Sequence, residues 1–276
     1  MKIIADTATL LTPEQGAAQG ITVIPVSVAF GSETYKDYVE ISSEAFLQRV
    51  AEGGVPTSSQ PSVGDMLEVY EACNEEAIFL TVGDGLSGAY QTAVGARACL
   101  EDSQRIHVID SKTLAGPLRH FALKAAELRR GGASLEEIKA ALQQGIESSL
   151  SFVIPADFEF LKRSGRLTTV AARVGGVLKL LPILTQTEDK KRIRPVTVKR
   201  SWRSAVEAVL QQLRAKGVGE DHLISVCHAG VLQRAQEALA QVQAFFPNTQ
   251  TEILELSPAL MTHGGPGCIV IQSVLK

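Results

Sequence analysis

The sequence predicts an α/β fold of two α/β domains, the N-terminal one on a mostly parallel, doubly wound sheet and the C-terminal one on a mixed sheet with helices. Three observations lead there. Strand-like apolar runs alternate with helix-like runs through the first half, the pattern of a parallel sheet with helices on its faces. KIIAD and AIFLTV are nearly continuous in apolar residues, as strands buried on both faces are. Beyond residue 150 the texture changes, and LPILTQTEDKKRIRPVTVK reads as two strands joined by a polar turn.

Taken in order, KIIAD is a strand and ITVIPVSVAF a second strand-like run. SSEAFLQRVAE and VGDMLEVYEACNE follow as helices, then strand AIFLTV, helix AYQTAVGARACLE, strand RIHVID and helix GPLRHFALKAAELRRGG. SLEEIKAALQQGIESS closes the half as a helix, because Ser134 with Glu137 three positions on is a capping box. SFVIPADFEF opens the second half. Helix SAVEAVLQQLRAKG, strand HLISVCHA, helix VLQRAQEALAQVQAFF and strands TEILELS and GCIVIQSVL complete it. The expected domains are residues 1–150 and 151–276.

At 276 residues, 45% hydrophobic and 21% charged, the chain can bury a sizeable core. No apolar run approaches the roughly 18 residues of a membrane span. Asp6 breaks MKIIADTATLL before a signal-peptide core forms, so the expected location is cytoplasmic. Cys73, Cys99, Cys227 and Cys268 are scattered without a C-x-x-C pair, so reduced thiols are expected and neither a disulfide nor a metal. Net charge is only −3, yet between Lys162 and Arg203 twelve lysines and arginines face Glu188 and Asp189, a local excess of +10. An otherwise acidic chain is not a nucleic-acid binder, but such a patch suits an anionic partner or lipid surface.

In an open parallel sheet, ligands bind beyond the carboxyl ends of the strands. The segments expected there are Asp6-Thr7, the loop Pro56-Thr57-Ser58-Ser59-Gln60-Pro61-Ser62, Ser87, and Asp110-Ser111. They offer small hydroxyls and carboxylates but no arginine, a set that suits one carboxylate better than a pyrophosphate. Taken singly, each Ser or Thr also reads as a helix cap, and Asp6 and Asp110 as acceptors for loop amides. His263 sits in Thr262-His263-Gly264-Gly265-Pro266-Gly267, whose glycines and proline predict a rigid turn that presents the imidazole to a cleft.

Gly83-Asp84-Gly85-Leu86-Ser87-Gly88 spells the G-x-G-x-x-G of a dinucleotide loop between a strand and a helix, with Asp110 at the end of the next strand. Three glycines also serve any tight strand-to-helix turn. A nicotinamide-dependent oxidoreductase using Gly83, Gly85 and Gly88 therefore stands as an alternative. No phosphate-binding P-loop, nucleophile elbow or zinc-protease motif accompanies it, so no catalytic residue and no cofactor are assigned.

In combination the motifs resemble a known family, the DegV proteins, bacterial fatty-acid-binding proteins that include the carrier subunits of fatty acid kinase. The resemblance covers essentially the whole chain. It rests on Asp6-Thr7, Ser58-Ser59-Gln60-Pro61-Ser62, Leu86-Ser87-Gly88-Ala89-Tyr90-Gln91, Val108-Ile109-Asp110-Ser111, Phe160-Leu161-Lys162-Arg163-Ser164-Gly165-Arg166, Lys199-Arg200 and His263-Gly264-Gly265-Pro266-Gly267. Ser58 stands where the family usually has Thr, and Asp84 places a carboxylate where a bound carboxylate would be repelled unless it points away. Membership implies a long-chain fatty acid in a cleft between the two domains, with ligand contacts from Ser58, Ser59, Ser87, Gly88, His263 and Gly264. It further implies a non-catalytic carrier that presents the carboxylate to the catalytic subunit of a fatty acid kinase. Arg166, Arg173 and Arg200 are the expected contacts with that partner or with an anionic membrane surface. A regulatory module that senses lipid is the remaining alternative.

Overall fold

The computed structural model describes residues 1–169 and 180–276. The chain divides into Met1–Glu147 with Ser257–Ala259, and Ser148–Leu256 with Leu260–Lys276.

The first unit is built on a four-stranded, all-parallel sheet in the order β2-β1-β6-β7, from β1 (Lys2–Asp6), β2 (Ile21–Ile24), β6 (Ala77–Thr81) and β7 (Ile106–Asp110). Successive strand residues face opposite sides of a sheet. Ile4 and Phe79 pack in one cluster with Met66 and Tyr70 of α3 (Val63–Glu71) and with Ala93 and Ala96 of α4 (Ala89–Ala98). Ile3, Ile78 and Leu80 therefore face the other side, and α5 (Ala115–Arg130) packs on β1 and β6 with its apolar residues buried. Each large side chain fully buried this way contributes about 1.5–3 kcal/mol. Helix α1 (Pro13–Ala18) starts on a Thr12–Gln15 capping box, and α6 (Leu135–Ser148) on Ser134 and Glu137, whose amide and carboxylate exchange bonds with Ser134.

ITVIPVSVAF is not one strand. Pro25 has no amide to give a ladder, and Val26 N–H is drawn instead to Thr7 Oγ1 at 3.2 Å. The chain turns there, so β2 stays in the parallel sheet while β3 (Ser27–Phe30) enters a separate antiparallel sheet, β4-β3-β5, with β4 (Glu33–Lys36) and β5 (Pro56–Ser59). The sequence shows β5 as a polar loop because its apolar content is minimal: Pro56 is its one buried residue, and PTSS is held as a strand by pairing with β3. Helix α2 (Ser43–Ala51) connects β4 to β5.

The second unit is a mixed six-stranded sheet ordered β10-β9-β8-β13-β11-β12. Its strands are β8 (Leu150–Ile154), β9 (Leu181–Gln186), β10 (Ile193–Lys199), β11 (His222–His228), β12 (Gln250–Glu255) and β13 (Ile269–Leu275). Only β11 and β12 pair in parallel; the other neighbours are antiparallel. Helices α8 (Trp202–Ala215) and α9 (Leu232–Phe245) share one core cluster with alternate residues of the sheet, among them Phe152, Ile154, Ile224, Val226, Ile269 and Ile271. Ala205, Val206, Val209, Leu210 and Leu213 of α8 recur at helical spacing and form its buried stripe. SFVIPADFEF divides at Pro155 into the end of β8 and α7 (Phe158–Arg163). No helix among the described residues is long and apolar enough to cross a membrane.

Candidate functional site

In the first unit, the loop after β6 is shaped by close packing. A side chain at Gly83 would meet the Lys112 backbone at 2.8 Å, and Gly85 has φ of 88°, where other residues are strained. The glycine pattern thus answers to the neighbouring loop and to a left-handed turn. Asp110, the acid that a dinucleotide reading reserves for a ribose, has Oδ1 accepting the amides of Asp84 (3.0 Å) and Lys112 (2.9 Å) and so ties the loops after β6 and β7 together. Asp84 Oδ1 accepts from Gln91 Nε2 at 3.3 Å, which engages the carboxylate with helix α4.

Ser87 and Gly88 lead directly into α4. Gly88 contributes no side-chain cap, and Ser87 Oγ accepts from the Ala89 amide at 3.2 Å, with the hydroxyl hydrogen left to donate elsewhere. On β5, Ser58 is half-buried and Ser59 exposed, in register with Val28 and Ser27 of β3. These residues sit on a strand where a loop was expected. Gln60, just beyond, lies 3.0 Å from the position a Gly88 side chain would occupy and donates to Thr92 Oγ1 at 3.3 Å. Gln60 therefore brings the end of β5 alongside the start of α4, and the hydroxyls of both segments lie on neighbouring elements.

In the second unit, His263 occupies the last turn of a short helix, α10 (Pro258–Gly264), and the turn starts only at Gly265, which has φ of 75°. The sequence shows the glycines but hides the helix, whose one signal is Pro258 at a first helical position. The His263 imidazole is pushed down to about 3, first by burial and second by the Arg166 guanidinium, so it is neutral at ordinary pH. Arg166 is itself half-buried, which lowers its pKa, and its amide donates to Ser164 Oγ at 3.2 Å. Gly264 is buried against Cys268. Arg200 is exposed between β10 and α8, and Arg173 lies outside the described residues. Some of the basic segment is used internally: Lys190 Nζ donates to Ser149 O and Oγ, each at 3.0 Å, and Arg163 stacks 4.5 Å above Phe160. Arg194, Arg200 and Arg203 remain exposed.

Two buried acids in the first unit complete the picture. Asp6 Oδ1 caps the turn after β1 by accepting from Ala8 at 2.8 Å, yet burial raises its pKa to about 7. Asp37, after β4, is raised to about 6 by burial and sits close enough to Asp6 to raise it further. Nothing in the sequence around Asp37, KDYVE, marks it as buried.

The family model for DegV, described as an uncharacterised protein family, matches residues 1–276. The chain belongs to the DegV family. A DegV domain-containing protein of Clostridium acetobutylicum is 30% identical over 279 residues, covering 98% of this chain and 96% of its own. Among solved structures, a fatty-acid-binding DegV family protein of Thermus thermophilus matches with a TM-score of 0.90 at 27% identity, covering 100% of this chain and 99% of its own. DegV of Bacillus subtilis, a fatty acid binding protein, matches with a TM-score of 0.86 at 27% identity over the same shares. The expected α/β architecture, a parallel sheet in the first half and a mixed sheet in the second, is that of these DegV relatives.

Proposed function

We propose that this protein binds a long-chain fatty acid between its two α/β domains and presents the carboxylate to a partner kinase. Phosphoryl transfer belongs to that partner, so the chain itself is a cytoplasmic, non-catalytic carrier feeding acyl phosphate into phospholipid synthesis. The observation that supports fatty acid binding is that the Thermus and Bacillus relatives, similar over essentially the full length of both chains, are fatty acid binding proteins. The residues at hand fit an anionic head group. Ser58, Ser59 and Ser87 supply hydroxyl donors and the Gly88 segment the first amides of α4, where a helix N-terminus favours negative charge. His263, neutral, donates one ring N–H without locking the carboxylate into an ion pair, and Gly264 allows close approach. A carboxylate held by neutral donors stays a better nucleophile toward phosphate than one clamped by arginine. Arg166, Arg173 and Arg200 serve the encounter with the kinase or with anionic lipid.

Native mass spectrometry of the purified protein tests this reading. A bound acyl species at about one per chain is expected, as for a preformed apolar site. Failure to recover any fatty acid by solvent extraction, together with no rise in melting temperature on adding one, would overturn it. Stabilisation by NADH or NADPH would favour the oxidoreductase instead.

A further inference from the structure

The chain makes one short return to the first unit late in its course. Leu256 is tied to the second unit's sheet, its amide donating to His228 O at 2.8 Å. Ser257–Ala259 then count with the first unit, and from Leu260 the chain counts with the second again. Those three residues are buried, Ser257 fully. They open helix α10, five residues before His263.

The first amides of a helix have no partner within it, and an adjacent side chain usually caps them. Here the cap comes from 222 positions away in sequence. Asp37 Oδ1 accepts the Ala259 amide at 3.3 Å. The Ser257 hydroxyl also hydrogen-bonds the Asp37 carboxylate, as does the Thr7 hydroxyl, whose oxygen meanwhile accepts from Val26. The carboxylate is rigidly mounted, since the Asp37 amide donates to Val26 O at 2.9 Å and Asp37 bridges to Ile41. A fully buried carboxylate is expensive to keep. Three donors converge on it, and two of them belong to the start of α10.

From this geometry we infer that Asp37 is a positioning residue for His263: by holding Ser257 and Ala259, it sets the start of α10 and hence the place of the imidazole at its end. The inference rests on the proposed fatty acid reading, in which that imidazole meets the carboxylate. It assigns Asp37 no contact with ligand.

The experiment compares affinities for oleate and for oleyl alcohol, which shares the chain but lacks the carboxylate, in wild type, Asp37→Asn, Ser257→Ala and His263→Ala. An asparagine retains an acceptor for the Ala259 amide but turns an NH2 toward the hydroxyls. Asp37→Asn is expected to lower the oleate-to-alcohol affinity ratio about tenfold, roughly one hydrogen bond to a charged group. Ser257→Ala, the gentler change, should shift the ratio in the same direction and serves where Asp37→Asn does not fold. In the His263→Ala background neither substitution should alter the ratio further. A merely structural anchor would weaken both ligands alike, and an unchanged ratio in folded Asp37→Asn or Ser257→Ala overturns the inference while leaving fatty acid binding intact. An equal ratio change with and without His263 also overturns it. Wild type that binds neither ligand overturns the fatty acid reading and this inference together.

Discussion

His263 is neutral because its surroundings make it so, and that sets how the proposed head-group site should respond to pH. With its pKa depressed to about 3 by burial and by Arg166, the imidazole does not titrate near neutrality. In Asp37→Asn, where the acid raised to about 6 at the start of α10 can no longer titrate, fatty acid affinity is therefore expected to stay flat between about pH 6 and 8, well above the usual carboxylate range. An affinity that falls along a titration centred near 6.5 would show an imidazolium at work. Ser87→Ala and His263→Ala should each weaken binding by roughly 1–3 kcal/mol in calorimetric titration, the range for a hydrogen bond to a charged group. Ser87→Ala has a second effect, since its oxygen also accepts the Ala89 amide. Stability should drop by about 1 kcal/mol with the lost cap. Asp84 is engaged by Gln91, so Asp84→Asn should leave affinity unchanged, and a gain would reveal that Asp84 opposes the bound anion.

At the level of elements, the loop between β6 and α4 shows what its glycines are for. Gly85→Ala places a side chain at φ of 88°, which should cost about 1–2 kcal/mol in urea denaturation, the penalty of left-handed backbone. Gly83→Ala should cost more, because its methyl group would meet the Lys112 backbone at 2.8 Å and backbone yields less readily than a side-chain tip. Equal stability of Gly83→Ala and wild type would remove the packing account of this motif.

For the whole molecule, the buried acids set a pH dependence whose sign follows from their raised pKa values. Asp6 goes from an ordinary value of 3.8 to about 7 on folding, first through burial, with Asp37 adding to it. The native state thus favours the protonated acid. Its contribution is fully present below about pH 4, declines as pH rises, and is gone by about pH 7. Relative to wild type, Asp6→Asn should gain unfolding free energy across that interval and gain no more above it. A constant difference from pH 4 to 8 in denaturant titrations would show that Asp6 is ionised throughout. The exposed cations act at longer range. Arg200→Glu combined with Arg203→Glu should leave fatty acid affinity in solution unchanged but slow its exchange with anionic vesicles, because surface charge speeds encounter. Salt should slow the wild type similarly, with screening over roughly 8 Å at physiological ionic strength. Equal exchange rates at low salt would reduce the patch to a solvated surface.

The α/β class, the parallel-then-mixed order of sheets and the identity of the motif residues are legible in the chain alone, because they depend on local periodicity and on residue type. KIIAD and AIFLTV must be buried on both faces whatever surrounds them, and the Ser134–Glu137 cap closes within one helical turn. The polar strand β5 was not legible, because PTSS becomes a strand only by pairing with β3. The break at Pro25 shows as a proline, but its consequence depends on Thr7 drawing the Val26 amide away. The setting of the candidate site depends on contacts that form once the chain has folded. Gln60 meets Gly88, Asp110 fastens two loops, and Asp37 caps the start of a helix that is 222 residues distant in sequence. A hydrogen bond between residues so far apart leaves no periodic trace in the chain. Its energy comes from burial in a place that exists only once the fold has formed.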